Sequence, residues 1–150
     1  HAIFKLYDPL FASFSLDEAS LDFTNYILDC KTVDEVVGEM RAMVKEKTGL
    51  TCSAGIGPTR QLAKMASNMN KPDGQFSVPF ERHELLSWLA TQPVKRICGA
   101  GKVTCALLRD AFDITSIGDL RQNQTKVWLG MTRCKAEFLV SAAHGLAPSM

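Results

Sequence analysis

Pro79 divides the chain into two stretches whose hydrophobic patterns belong to different architectures. Ahead of it, short runs of small or apolar residues alternate with helical periodicity; behind it, only helical spacing remains. The pattern predicts an α+β part over residues 1–78 followed by an all-α part over residues 79–150. With 150 residues, 46% of them hydrophobic, the chain can bury one core, or two small ones in contact, without disulfides or a structural metal. The cysteines agree with that. Cys30, Cys52, Cys98, Cys105 and Cys134 are odd in number and include no C-x-x-C pair, so they read as reduced, mostly buried thiols.

No apolar run approaches the roughly 18–20 residues that span a bilayer, and no signal-like segment opens the chain, which predicts a soluble, intracellular protein. The chain starts at His1 without an initiator methionine and stops soon after Ala147-Pro148-Ser149, so it is expected to be a piece of something longer. A net charge of +1 argues against indiscriminate coating of nucleic acid. The charge is nevertheless uneven: residues 1–75 hold eight Lys/Arg against ten Asp/Glu, and residues 76–150 hold nine against six.

In the first part, Leu10-Phe11-Ala12-Ser13-Phe14 and Leu21-Asp22-Phe23-Thr24 flank a polar centre, Ser15 to Ser20, and predict two strands around a tight connection. Thr32 with Glu35 forms a capping box ahead of Val33, Val36, Val37, Met40 and Val44 at helical spacing, with Lys45 and Lys47 near the end and Gly49 as the stop. Residues 50–57 are small and uncharged, as in a strand buried on both faces. Pro58-Thr59 then starts a helix with Leu62, Met65, Ala66 and Met69 inward, Asn70 to Gly74 form a turn, and Gln75 to Val78 one more strand. In the second part a helix begins at Glu81 with Leu85, Leu86 and Leu89 inward. A turn over Val94–Arg96, a hairpin over residues 97–102, a helix over Val103–Ala111, and helices near Ile117–Arg121 and Arg133–His144 follow.

Three features could carry chemistry. Asp17 and Glu18 are adjacent carboxylates, and enzymes of phosphoryl transfer hold divalent metal with such groups. Neighbours on a regular strand point to opposite faces, so both reach one metal only at a turn or strand end, which is where the predicted connection lies. An isolated Asp-Glu dipeptide is still more often a solvated turn. Lys71 follows a helix within Asn70-Lys71-Pro72-Asp73-Gly74 and could neutralise a triphosphate, although surface lysines are common. Gly99-Ala100-Gly101-Lys102 lacks the strand and third small residue of a dinucleotide-binding fingerprint. It suits a helix-hairpin-helix, which grips a nucleic-acid backbone through N–H groups and Lys102, better than a plain turn between packed helices. His83 and His144 have no partner at ligand spacing, and Ser53 has no nucleophile elbow.

In this order the pieces resemble the Y-family DNA polymerases. Ser15-Leu16-Asp17-Glu18-Ala19 is similar to that family's metal motif. Ser53 to Pro58 with Leu62-Ala63-Lys64, then Asn70-Lys71-Pro72 with Gly74, are similar to its next two blocks, and Gly99 to Lys102 to its thumb hairpin. The resemblance covers nearly the whole chain. It implies a partial polymerase palm, a mixed or antiparallel sheet with packed helices, over residues 1–78, and a small all-α thumb over 79–150. It further implies that Asp17 and Glu18 bind two Mg²⁺ ions in the complete enzyme, that Lys71 contacts the triphosphate of a dNTP, and that Gly99, Ala100, Gly101 and Lys102 hold the backbone of primer–template DNA. The implied activity is translesion synthesis, with the nucleus as the first setting ahead of a mitochondrion or a bacterial cytoplasm, and with any sliding clamp bound through regions outside this chain.

Two departures bear on this. Ser20 stands where the family has an aromatic residue, and Thr59-Arg60 replaces an asparagine-led pair. The resemblance also puts the first metal aspartate and the fingers upstream, and a little finger downstream, so the 150 residues alone are expected to be inactive. The rival expectations are a non-catalytic helix-hairpin-helix module and another palm-type enzyme such as a nucleotide cyclase.

Overall fold

A computed structural model describes residues 1–13, 15–26 and 31–146. Phe14 in the expected first strand, Cys30, and the terminal Ala147-Pro148-Ser149 lie outside the described residues. The chain divides into two compact units, one of residues 1–56 and 66–77, the other of residues 57–65 and 78–150.

The first unit opens with a short helix, α1 (Phe4–Tyr7), and an antiparallel pair, β1 (Ala12–Ser13) and β2 (Ala19–Ser20), in the register Ala12 to Ser20 and Ser13 to Ala19. The second strand starts earlier than the sequence suggests. Leu21 and Phe23 are apolar because they pack on the core formed by Ile3, Tyr7, Val36, Val37, Met40 and Ile56, and no ladder includes them. Tyr7, Phe23 and Tyr26 form a ring cluster with centroids 5.1–6.0 Å apart, and burial raises the Tyr7 phenol above its ordinary value.

Helix α2 (Val33–Thr48) follows the sequence reading closely. Thr32 Oγ1 accepts from Glu35 N, the Glu35 carboxylate accepts from Thr32 N, and Gly49 ends the helix at φ 70° with its N–H donated to Lys45 O. β3 (Ala54–Ile56) and β4 (Gln75–Ser77) pair in parallel, Ala54 opposite Gln75 and Ile56 opposite Ser77. A parallel pair requires a crossover, and the connection contains helix α3 (Arg60–Ser67). The expected single sheet is therefore corrected: the described strands form two separate two-stranded sheets, one antiparallel and one parallel. The expected doubly buried strand over residues 50–57 is likewise reduced to three residues. Leu50 is 69% exposed, and the Thr, Ser and Gly of this run have little apolar surface of their own to bury.

The second unit is helical. α4 (Arg82–Thr91), α5 (Lys102–Phe112), α6 (Ile117–Gln122), α7 (Gln124–Gly130) and α8 (Arg133–Ala143) follow one another, with a three-residue 3₁₀ turn at Val94–Arg96. Leu85, Leu89, Leu108, Ile117, Leu120, Val127 and Leu139 are buried, each burial stabilising the fold by about 2 kcal/mol. Leu86, expected inward, is only half-buried, and α7 was not expected at all. The α4–α6 connection is stitched by backbone bonds, Val94 N to Thr115 O at 3.0 Å and Ile117 N to Gln92 O at 2.8 Å.

A second capping box starts α6. Ser116 Oγ accepts from Asp119 N, while Asp119 Oδ2 accepts from Ser116 N at 2.9 Å and from Thr115 N at 3.1 Å. The Ser116 backbone bond, then the bond from its side chain, hold the Asp119 carboxyl below its ordinary value of 3.8. A carboxylate lowered in the folded state contributes stability in full above its unfolded value, and loses it as the pH falls through the folded value. Asp119→Ala is therefore expected to cost about 1 kcal/mol at pH 7. The gap to the natural sequence, measured by thermal unfolding, should narrow below about pH 4; a gap that stays constant down to acid would refute the assignment. Among the described residues no helix is long and apolar enough to cross a membrane.

Candidate functional site

Asp17 and Glu18 are both exposed and stand on the connection between β1 and β2, with Glu18 directly before the second strand. The connection is shaped from within. Ser15 Oγ donates to Asp17 Oδ1 at 2.7 Å, and Ser13 Oγ lies 3.0 Å from Ser15 O and 3.4 Å from Glu18 O. Asp8 braces the base of the hairpin: its carboxylate accepts from Leu10 N at 2.8 Å and from Asp22 N, fourteen residues away, at 2.9 Å. That brace was not anticipated, although Asp8 sits in the Tyr7-Asp8-Pro9 sequence just ahead of the acidic pair.

Oxygen donors on a tight connection fit a hard divalent cation such as Mg²⁺ in kind. They are few in number. Among the described residues, no three His, Cys, Asp or Glu side chains gather closely enough to hold a metal. Asp17 and Glu18 are two adjacent exposed carboxylates on that connection.

Lys71 is exposed on the turn after α3, and among the described residues it makes no ion pair or hydrogen bond, with Asp17 and Glu18 or otherwise. Hydrogen bonds hold the turn itself. Asn70 Nδ2 donates to Gln75 O at 2.8 Å across its neck, and Ala54 N donates to Gly74 O at 3.0 Å. Gly74 is obligatory there, since a Cβ would lie 2.1 Å from Asn70 O and 2.8 Å from Asn70 Cβ. Asp73 takes φ 48° and pairs with Arg41 at 2.9 Å. Arg41, Asp73 and Gln75 were missed by the sequence reading.

In the second unit, Gly99, Gly101 and Lys102 are exposed. Gly99 takes φ 102°, and a Cβ on it would meet the Phe138 ring at 2.8 Å, so both conformation and packing call for glycine. Ala100 is placed differently from the expectation. Its side chain is buried and its N–H is donated to Ile97 O at 2.9 Å, so it anchors the turn instead of offering a donor. Gly101 caps α5 without a side-chain hydrogen bond, leaving the first N–H groups of the helix beside the exposed Lys102.

Other polar groups offer less. Burial, the largest influence, raises the Cys52 thiol, which keeps it protonated and unsuited to nucleophilic attack. Burial, then the nearby Arg121 and Arg82, push the His144 imidazole down, so at neutral pH it is an uncharged helix-end residue.

A family model described as the impB/mucB/samB family matches residues 1–68. Over 145 residues the chain is 38% identical to DNA polymerase kappa of Arabidopsis thaliana, covering 96% of this chain and 22% of that protein. It is 43% identical over 122 residues to DNA polymerase IV of Neisseria gonorrhoeae, covering 81% of this chain and 34% of that protein. Two solved structures share the fold: a DinB family error-prone DNA polymerase from Sulfolobus solfataricus, with TM-score 0.84 and 22% identity, and a Y-family DNA polymerase chimera, with TM-score 0.80 and 24% identity. Each likeness covers 99% of this chain and 44% of the other. The chain spans about a fifth to a third of these two relatives and 44% of each solved chain.

Proposed function

The chain belongs to the Y family of DNA polymerases, and from that premise we propose that it forms the later palm, residues 1–78, and the thumb, residues 79–150, of a translesion polymerase most like the kappa type. The proposed reaction is template-directed nucleotidyl transfer. The primer 3′-hydroxyl gives its proton to solvent, its oxygen bonds to the α-phosphorus of a dNTP, the bond from that phosphorus to the oxygen bridging to the β-phosphate breaks, and pyrophosphate leaves.

Asp17 and Glu18 would hold divalent metal, with Mg²⁺ as the first candidate, which when bound offsets charge on the attacking and leaving oxygens. The chain's own side chains then divide the remaining work. Lys71 places an ammonium against the triphosphate. Gly101 and Lys102 offer N–H groups at the uncapped start of α5 to a DNA phosphate, while Gly99 and Ala100 shape the turn that presents them. The observation that carries the reading is the position of Asp17 and Glu18, exposed together on the connection of an antiparallel hairpin. The bond from Ser15 to Asp17 shapes that connection, and Asp8 joins the two ends of the hairpin.

Because two carboxylates are too few ligands and too little charge for two dications, residues 1–150 alone should give no metal-dependent primer extension, whereas the parent protein should extend a primed template with dNTP and Mg²⁺. Extension by the 150-residue chain would overturn the predicted inactivity of residues 1–150, and a parent protein that binds DNA but extends nothing would defeat the polymerase proposal. The second of those outcomes would favour a non-catalytic helix-hairpin-helix module.

A further inference from the structure

Arg41 has all three guanidinium nitrogens engaged, two of them by the turn and strand that follow Lys71. Its Nε donates to Cys52 O at 2.9 Å, its Nη1 to Gln75 Oε1 at 3.2 Å and its Nη2 to Asp73 Oδ1 at 2.9 Å. These acceptors lie before β3, at the start of β4 and in the turn between α3 and β4, so one side chain on α2 ties together three segments distant in sequence. The side chain is 16% exposed, and a planar fork with donors in fixed directions is the group that can serve three acceptors at once. Gln75 extends the network, donating through Nε2 to Asp34 O at 2.9 Å and approaching Asp34 Oδ1 at 3.3 Å, one end of α2 away from Arg41. Lys45 Nζ reaches the other Asp73 oxygen at 3.5 Å, an exposed pair of little weight.

The consequence is a turn held at four of its residues, none of them Lys71. Asn70 is bonded across the neck, Asp73 to Arg41, Gly74 to Ala54, and Gln75 to both Arg41 and Asp34. We propose that Arg41 is a positioning residue for the incoming nucleotide: through Asp73 and Gln75 it fixes the backbone from which Lys71 meets the triphosphate. The inference rests on the reading of Lys71 as a triphosphate ligand. A lysine on a loose turn disperses its charge over many backbone placements, so fixing the backbone raises the fraction in which ammonium and phosphate meet. Asp73 also matters by what it does not do. Paired with Arg41, its carboxylate is held by α2 and does not neutralise Lys71 two residues away.

The test is single-nucleotide incorporation by the full-length parent protein, with Arg41→Lys, Lys71→Ala and both together. Lys71→Ala should raise KM for dNTP about tenfold. Arg41→Lys keeps the charge but not the fork, and should raise the same KM about threefold while kcat and the primer–template Kd change less than twofold. The combined variant should match Lys71→Ala alone, since a positioning residue has nothing left to position. Multiplied effects in the double variant would overturn the proposal and leave a structural role for Arg41, with Lys71 still a ligand. An unchanged KM in Lys71→Ala would instead remove Lys71 itself, and the proposal with it. Should Arg41→Lys fold poorly, the exposed Asp73→Asn serves in its place: its rise in KM must appear beside Lys71 and vanish beside Lys71→Ala, and a rise that persists there refutes the role.

Discussion

Asp17→Asn in the full-length parent is expected to lower primer extension by at least about a hundredfold while leaving its affinity for primer–template DNA within twofold. The substitution is isosteric and keeps an oxygen for the 2.7 Å bond from Ser15 Oγ, so the connection can retain its shape. On the proposed metal-binding role, what is lost is one of the two negative charges that Asp17 and Glu18 would offer the metal. Stability gives little room for another explanation. Asp17 is exposed, and surface substitutions that preserve their hydrogen bonds fall within about 0.5 kcal/mol. Glu18→Gln should behave in the same direction. Measured together, extension rate, DNA affinity and melting temperature separate the cases. Rate lost with the other two intact supports metal binding, whereas full activity in Asp17→Asn would return the pair to an ordinary solvated turn.

How far the fold could be read depended on how local its causes are. α2 was legible because its start, periodicity and stop all lie within eighteen residues: Thr32 bonds Glu35, Val36, Val37 and Met40 share a buried face, and Gly49 takes the left-handed conformation. The strands were located only approximately. Each has two or three residues, too few for alternation to show, and their pairing is decided by partners elsewhere in the chain. Leu21 and Phe23 looked like strand residues because they are apolar, but their partners are the helices and rings of the core. α7 was hidden for the opposite reason: among its residues only Val127 is fully buried, so the Gln124-Thr125-Lys126 start looked like loop.

The site shows the same division. Asp17, Glu18 and Lys71 could be singled out because the chemistry they suit is legible in their residue types and in the turns around them. Arg41 could not, since on the sequence it is one more charged residue of an amphipathic helix. Its partners Asp73 and Gln75 lie 32 and 34 residues away, and only the folded chain brings them within 3.2 Å. Ala100 was grouped with the phosphate donors because it stands between two glycines, whereas folding commits its N–H to Ile97 and buries its methyl group. A motif identifies the turn, and the hydrogen-bond inventory decides which of its residues remain available.

Gly74→Ala should be the most damaging single-methyl change in the Lys71 turn, costing about 3 kcal/mol of stability and weakening nucleotide binding together. The added carbon would lie 2.1 Å from Asn70 O, 2.8 Å from Asn70 Cβ and 3.0 Å from Asn70 C. Two of those atoms are backbone, so no side-chain rotation relieves the clash and the neck of the turn must open. Opening stretches the Asn70-to-Gln75 bond and the Ala54-to-Gly74 bond that begins the parallel ladder, and it draws Asp73 away from Arg41. Gly101→Ala is the comparison, because nothing lies within 4 Å of its Cβ and its φ of −68° suits any residue; its cost should stay below about 1 kcal/mol. In the parent protein, thermal unfolding should rank the two variants in that order, and dNTP titration should show KM rising for Gly74→Ala but not for Gly101→Ala. If Gly74→Ala melts with the natural sequence and keeps its KM, the close approach is not maintained in solution, and the turn does not hold Lys71 as described.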